Sequence, residues 1–287
     1  MAAREFQTID ELMAMLVQIA KESVTFKKIA IYIEKNYLKV IFLTASELAE
    51  QMGVSQGSVS RFFMTLGYSG YNGFLHNLQQ VISQQLTAPQ RLIYSQKNGT
   101  ADLQNAVIAR EIENITLVDN LVTTAEYQAM VKMLCQPQPL VLLSARMSAT
   151  MLPYLEYVLH KMRADVSVAV PGTQTWDLLG VANNKPNVLV LAFPRYANDL
   201  IRKCAQLAKA GVDLYMVTDS RLSPVVEFAK EVLFVPVTTA SLFDVYSTPM
   251  LLFNLLLRDV ANNMPQLPVR MEAIEAQEQL DNVYFSK

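Results

Sequence analysis

Cysteine is almost missing from this sequence: among 287 residues only Cys135 and Cys204 occur, too few and too far apart for a disulfide framework or a clustered zinc site. Neither a metal nor a redox cofactor is therefore expected. Long hydrophobic runs are also missing, since the late run at residues 250–257 is short and interrupted by Asn254. The opening segment, M-A-A-R-E-F-Q-T-I-D, carries acids early and has no signal-peptide core, so a cytoplasmic protein with no membrane partner is expected. An excess of charge of one sign is absent too. The net charge is −2, and residues 1–86 hold seven Lys/Arg against seven Asp/Glu, which excludes a broad basic surface. The balance is uneven along the chain, however. No Asp or Glu occurs from Gln51 through Ala101, where Arg61, Arg91 and Lys97 lie, leaving one local surface without phosphate-repelling carboxylates.

What is present is apolar residues, 52% of the chain, enough for two packed domains. No Gly or Pro precedes Gly53. Leu12, Met15, Leu16 and Ile19 recur at helical spacing and predict a helix from Ile9 to about Val24. A second is predicted from Phe26 to Asn36, with Ile29, Tyr32 and Ile33 on one side. In T-A-S-E-L-A-E-Q-M-G-V-S, Thr44 and Glu47 form a capping box for a third helix that stops at Gly53. Ser55 then caps a fourth helix, whose inward residues are Val59, Phe62, Phe63 and Leu66.

The spacing Ala49, Gly53, Val54, Val59 fits a helix-turn-helix, or else an ordinary helical hairpin with a polar face. In the first case Gln56, Gly57, Ser58, Ser60 and Arg61 face outward. Arg61 suits guanine or phosphate, Gln56 an adenine edge, and Gly57 close backbone approach. Thr44 and Ser55 join this set at the helix starts. Val54, Ser55, Ser58, Val59, Arg61, Phe62, Leu66, Gly67, Gly70, Tyr71 and Phe74 stand in register with the pattern of the RpiR family of bacterial regulators, with Ser at 58 where the family has Thr. This segment resembles that family's helix-turn-helix domain. The resemblance implies double-stranded DNA as a partner and places Arg61 and Tyr71 near it, although Tyr71 serves equally well as a packing residue.

Residues 87–104 read as a linker, rich in turn formers. Helical patterns follow over 101–121 and 124–134. Five apolar runs then alternate with helices: Leu140–Leu143, Val166–Val170, Val188–Phe193, Leu214–Thr218 and Val232–Val237. The expected fold is an all-α helix-turn-helix domain (1–86) followed by an α/β domain (105–265) with a doubly wound, five-stranded parallel sheet, and a helical tail (266–287). Ligands of such sheets bind beyond the carboxyl ends of the strands, where the loops S-A-R-M-S-A-T (144–150) and F-P-R-Y-A-N-D (193–199) fall.

The order of these loops, and the stretch from Val188 to Ser220, resemble the SIS (sugar isomerase) domain that RpiR regulators carry. That resemblance implies a sugar-phosphate effector gripped by loop hydroxyls. Here the sequence departs from the family: Arg146 stands where glycine is usual, and Ala197 and Leu200 where Ser and Thr are expected. The candidate effector-binding residues are Ser144, Arg146, Ser148, Arg195, Tyr196 and Asn198. The two arginines either bind an anionic ligand by bidentate hydrogen bonds or pair with acids such as Asp199 and Glu156.

The expectation is a DNA-binding regulator of bacterial carbohydrate metabolism, not an enzyme, with DNA affinity set by a small anionic metabolite. One alternative makes the α/β domain a dimerisation module only. A sugar-phosphate isomerase is another, but no general base stands out, His160 reading as an ordinary helical residue. The apolar stretch Leu242–Leu257 is expected to lie against a second subunit rather than a membrane, in a homodimer or higher homo-oligomer facing a palindromic operator.

Overall fold

A serine divides the first apolar stretch into two helices. Ser23 is extended and its side chain accepts from the Phe26 amide, so α2 (Val24–Val40) begins there, while α1 (Ile9–Ile19) ends well before the expected Val24. Nor does α2 stop at Asn36. The Asn36 backbone leaves helical geometry (φ −133°, ψ 17°) and its side-chain amide donates to the Tyr32 carbonyl at 2.9 Å, so the helix kinks and continues. These elements belong to a computed structural model that describes residues 6, 8–41, 43–82, 89, 92, 100–181, 185–237 and 243–285.

The next three helices follow their caps. Thr44 Oγ1 accepts from the Glu47 amide (3.2 Å) and the Glu47 carboxylate from the Thr44 amide (2.8 Å), closing the capping box of α3 (Ala45–Met52). Gly53 ends it at φ +58°, a left-handed conformation glycine adopts without strain. Ser55 Oγ accepts from the Ser58 amide to start α4 (Gln56–Thr65), and α5 is Tyr71–Ile82. Leu12, Ile29, Ile33, Leu48, Val59, Phe62, Phe63 and Phe74 form the buried centre of this unit, with Phe63 stacked on Phe74 at 4.4 Å. Buried Asn77 exchanges hydrogen bonds with both backbone polar groups of Phe6 and accepts from Tyr68 Oη.

Residues 108–237 and 245–285 fall in a second compact unit. The linker expected at 87–104 lies mostly outside the described residues, and its last part is already helical, since α6 spans Thr100–Leu121. After α7 (Ala125–Leu134) come β1 (Leu140–Ser144), β2 (Val166–Ala169), β3 (Asn187–Ala192), β4 (Leu214–Thr218) and β5 (Glu231–Phe234), all parallel in the order β2-β1-β3-β4-β5. Successive side chains point to opposite faces, which is why one sheet supplies two cores. Leu140, Leu142, Leu189, Leu191, Tyr215 and Val217 pack on one face, and Val141, Leu143, Val188, Val190, Leu214 and Met216 on the other. The intervening helices are α8 (Leu152–Met162), α9 (Gln174–Leu178) and α10 (Asn198–Lys209), followed by α11 (Ser247–Asn262) and α12 (Leu267–Leu280).

From Leu252 on, the apolar run expected to meet a second subunit packs within its own unit, while Phe243 near its start is 64% exposed. Leu252, Phe253, Leu256, Leu257 and Val260 of α11 join the same core as Tyr127, Met130 and Leu134 of α7, while Asn254 and Arg258 stay exposed. Among the described residues no helix is long and apolar enough to cross a membrane.

Candidate nucleic-acid interface and small-molecule cleft

The turn at Gly53 and Val54 presents the start of α4. Ser55, Gln56, Gly57, Ser60 and Arg61 are exposed and Ser58 is half-buried, while Val59, Phe62 and Phe63 of the same helix are fully buried. Arg61 Nε lies 3.3 Å from the Gly57 carbonyl, to which it donates, so the guanidinium lies along the outer face of the first turn. A Cβ added at Gly57 would meet nothing closer than Ser55 Oγ at 3.9 Å, and its φ is not in the left-handed range. The fold itself does not require a glycine there. Exposed Thr44 is held in the capping box at the start of α3.

Tyr71 takes the packing role that the sequence leaves open beside DNA contact. It is 5% exposed, and its hydroxyl lies 2.8 Å from the carbonyls of both Val40 and Leu43, to which it donates. Burial pushes its phenol well above the ordinary value, with Glu47 adding to the shift. The side chain ties α5 to the chain before α3. Phe74, three residues on, is fully buried on the same helix. That spacing was the signal for packing.

At the carboxyl end of β1 the two serines are similarly committed. Ser144 is fully buried, and its hydroxyl donates to the Leu191 carbonyl of β3 at 2.7 Å. Ser148, 6% exposed, accepts from the Phe193 amide at 3.2 Å. Both hydroxyls stitch the first loop to β3, because β1 and β3 are adjacent and in register, Ser144 opposite Leu191. Ser144 is therefore not accessible to a ligand, contrary to expectation.

Arg146 and Arg195 stand out differently. They have positive φ, +57° and +64°, at the carboxyl ends of neighbouring strands, and both are exposed. A left-handed backbone costs a non-glycine residue roughly 1 kcal/mol. Among the described residues neither guanidinium has an ion-pair partner; Asp199 pairs with Arg202 instead, and Glu156 lies 4.0 Å from His160. Tyr196 donates to Asp219 Oδ1 at 2.6 Å, and burial, then the Asp219 charge, raise its pKa. Asn198 is exposed as the first residue of α10.

A cleft of about 600 Å³ opens beside the first loop. It is lined by Arg146, Ala149 and Thr150 of that loop, Leu152, Pro153 and Glu156 of α8, Val168, Val170 and Pro171 at the end of β2, and Asp199 of α10. The structure thus brings Arg146 to the cleft, whereas Arg195, Tyr196 and Asn198 do not line it. The apolar β2 wall and Asp199 were missed as lining, since nothing in V-A-V-P marks a ligand contact. Glu156 was legible only as a possible partner for an arginine.

Comparison with known proteins bears on both units. The helix-turn-helix domain of the rpiR family matches residues 13–85, and the SIS domain matches residues 133–258. Among curated proteins none matches significantly. The sugar isomerase domain of an RpiR transcription factor from Sphaerobacter thermophilus superposes with a TM-score of 0.55 at 20% identity, covering 60% of this chain and 98% of that one. The NanR protein of Vibrio vulnificus, solved with ManNAc-6P, superposes with a TM-score of 0.53 at 17% identity, covering 96% of this chain and 100% of its own. At such identities the likeness is one of fold. The two matches follow one another along the chain, which thus carries a helix-turn-helix domain of the rpiR family followed by a SIS domain.

Proposed function

We propose that this protein is a cytoplasmic transcription regulator of carbohydrate metabolism whose affinity for DNA is set by a small anionic metabolite bound in the cleft beside β1. The observation that carries the DNA half is the outward face of α4: Gln56, Gly57, Ser60 and Arg61 are exposed on a helix with no acid in it, in a segment without a carboxylate from Gln51 through Ala101. Phosphate contacts position such a helix and base-edge contacts from its first turns specify the site. Residues 1–86 form the DNA-binding domain, 105–265 the effector domain and 266–287 the tail. A homodimer would present two copies of α4 to a palindromic operator.

The effector half rests on Arg146. An arginine with a left-handed backbone and, among the described residues, no ion-pair partner, at the lip of a cleft at the carboxyl ends of parallel strands, is suited to an anion. The fold neighbour NanR was solved with a sugar phosphate, which supports that ligand class here. With Ser144 committed to β3, the anion contact in the cleft falls to Arg146, while Ser148, Arg195, Tyr196 and Asn198, which do not line the cleft, would reach only a ligand that extends beyond it toward the end of β3.

The test is selection and sequencing of genomic fragments bound by the full-length protein over a range of salt, with Arg61→Ala alongside. A discrete palindromic site, weakened as salt rises and lost or reduced by about 1–3 kcal/mol in the variant, is the expected result. No enriched site at any salt would overturn the regulator reading.

A further inference from the structure

The charge of the cleft does not fit a plain anion. Its ionisable lining residues are one cation, Arg146, and two carboxylates, Glu156 and Asp199. A bare dianion placed there gains one guanidinium and faces two like charges. The one hydroxyl among the lining residues, on Thr150, donates to the Met147 carbonyl at 2.7 Å, and Ser144 and Ser148 do not line the cleft. Nor are the carboxylates neutralised from outside. Among the described residues Asp199 is paired with Arg202, whose side chain is 71% exposed, and Glu156 lies 4.0 Å from His160, which is 43% exposed. Such water-screened pairs contribute little and leave the carboxylate field on the cleft side. The remaining walls, Leu152, Val168 and Val170 among them, are apolar and strengthen whichever charge interactions form.

We propose that the ligand of this cleft is a zwitterion: a small polyol-sized molecule with an anionic group held by Arg146 and an ammonium group facing Glu156 and Asp199. An amino-sugar phosphate has this chemistry, and so does an amino-sugar acid. The proposal deepens the effector reading and rests on it. It also makes Glu156 a specificity residue, because its charge attracts the ammonium and repels any ligand without one.

Calorimetric titration of the full-length protein with two matched pairs tests this: glucosamine 6-phosphate against glucose 6-phosphate, and 2-amino-2-deoxygluconate against gluconate. The amine-bearing member of at least one pair is expected to bind about tenfold tighter, the effect of one favourable charge contact. The pair that binds identifies the anionic group. In Glu156→Gln, which keeps the shape of a half-buried helix residue, the amine-bearing member should weaken while the amine-free member tightens, and the preference should fall within twofold. Arg146→Ala should lose both members. Equal affinities within each pair, or a preference that survives Glu156→Gln, would overturn the zwitterion proposal while leaving the effector site standing. Absence of binding by all four compounds at millimolar concentration, or binding indifferent to Arg146→Ala, would overturn the effector reading itself, and this proposal with it.

Discussion

At Tyr71 a single hydroxyl separates two roles that the sequence pattern leaves open. Its removal in Tyr71→Phe takes a 2.8 Å bond from the carbonyls of Val40 and Leu43; Val40 keeps the Leu43 amide at 3.1 Å, so the loss falls mainly on the Leu43 carbonyl. Stranding a buried acceptor costs about 1–3 kcal/mol, so the melting temperature of the helical unit should fall by several degrees. The DNA affinity of the folded protein should not move. Weaker DNA binding with unchanged stability would return Tyr71 to the DNA surface. The same ambiguity governed Ser144 and Ser148. A hydroxyl at the end of a strand serves an anion or a neighbouring carbonyl equally well, and what decides between them is the pairing of Ser144 with Leu191, a register between residues far apart in sequence. Arg146 and Arg195 were legible as residues out of place in a phosphate loop, but their left-handed backbones were not.

Elements were more legible than contacts, because helix caps and alternating runs are written locally. Thr44, Glu47, Gly53 and Ser55 set the boundaries of α3 and α4 where their chemistry demands, and the five apolar runs became the five parallel strands. The misplaced ends have local causes that periodicity alone does not register: the Ser23 cap and the bond from Asn36 to Tyr32. Gly57 offers a test at this scale. Its φ and the open space around it would admit alanine without strain, so Gly57→Ala should stabilise α4 by up to about 1 kcal/mol, chiefly by restricting the unfolded chain. If the glycine serves close approach of α4 to the major groove, the same variant should melt higher yet bind its operator more weakly. Thermal melting and a DNA titration on one preparation check this, and a variant that is more stable with unchanged affinity would show that Gly57 has no part at the interface.

Each unit closes its own core, the helical one around Phe62, Phe63 and Phe74, the α/β one on both faces of its sheet. The α11 run that looked like an interface in the sequence is part of that closure, since hydropathy reports that a helix is buried without reporting against what. Two separate cores would let one chain carry the two proposed binding activities, but they do not make a regulator. Regulation requires that occupation of the cleft change the free energy of DNA binding, and linkage makes such coupling reciprocal. If the effector alters operator affinity, the operator must alter effector affinity by the same factor, expected to be about 5- to 150-fold for a coupling of typical size. Both halves are measurable on the full-length chain: an operator titration with and without saturating effector, and an effector titration with and without operator. Arg61→Ala should abolish the effect of operator DNA on the cleft while leaving effector affinity in the absence of DNA as it was, because Arg61 belongs to the other unit. Equal and non-zero coupling in the two directions would make the cleft the control site of the DNA-binding unit. Tight binding of each ligand with no coupling in either direction would mean that the SIS domain holds its ligand for some purpose other than control of DNA binding.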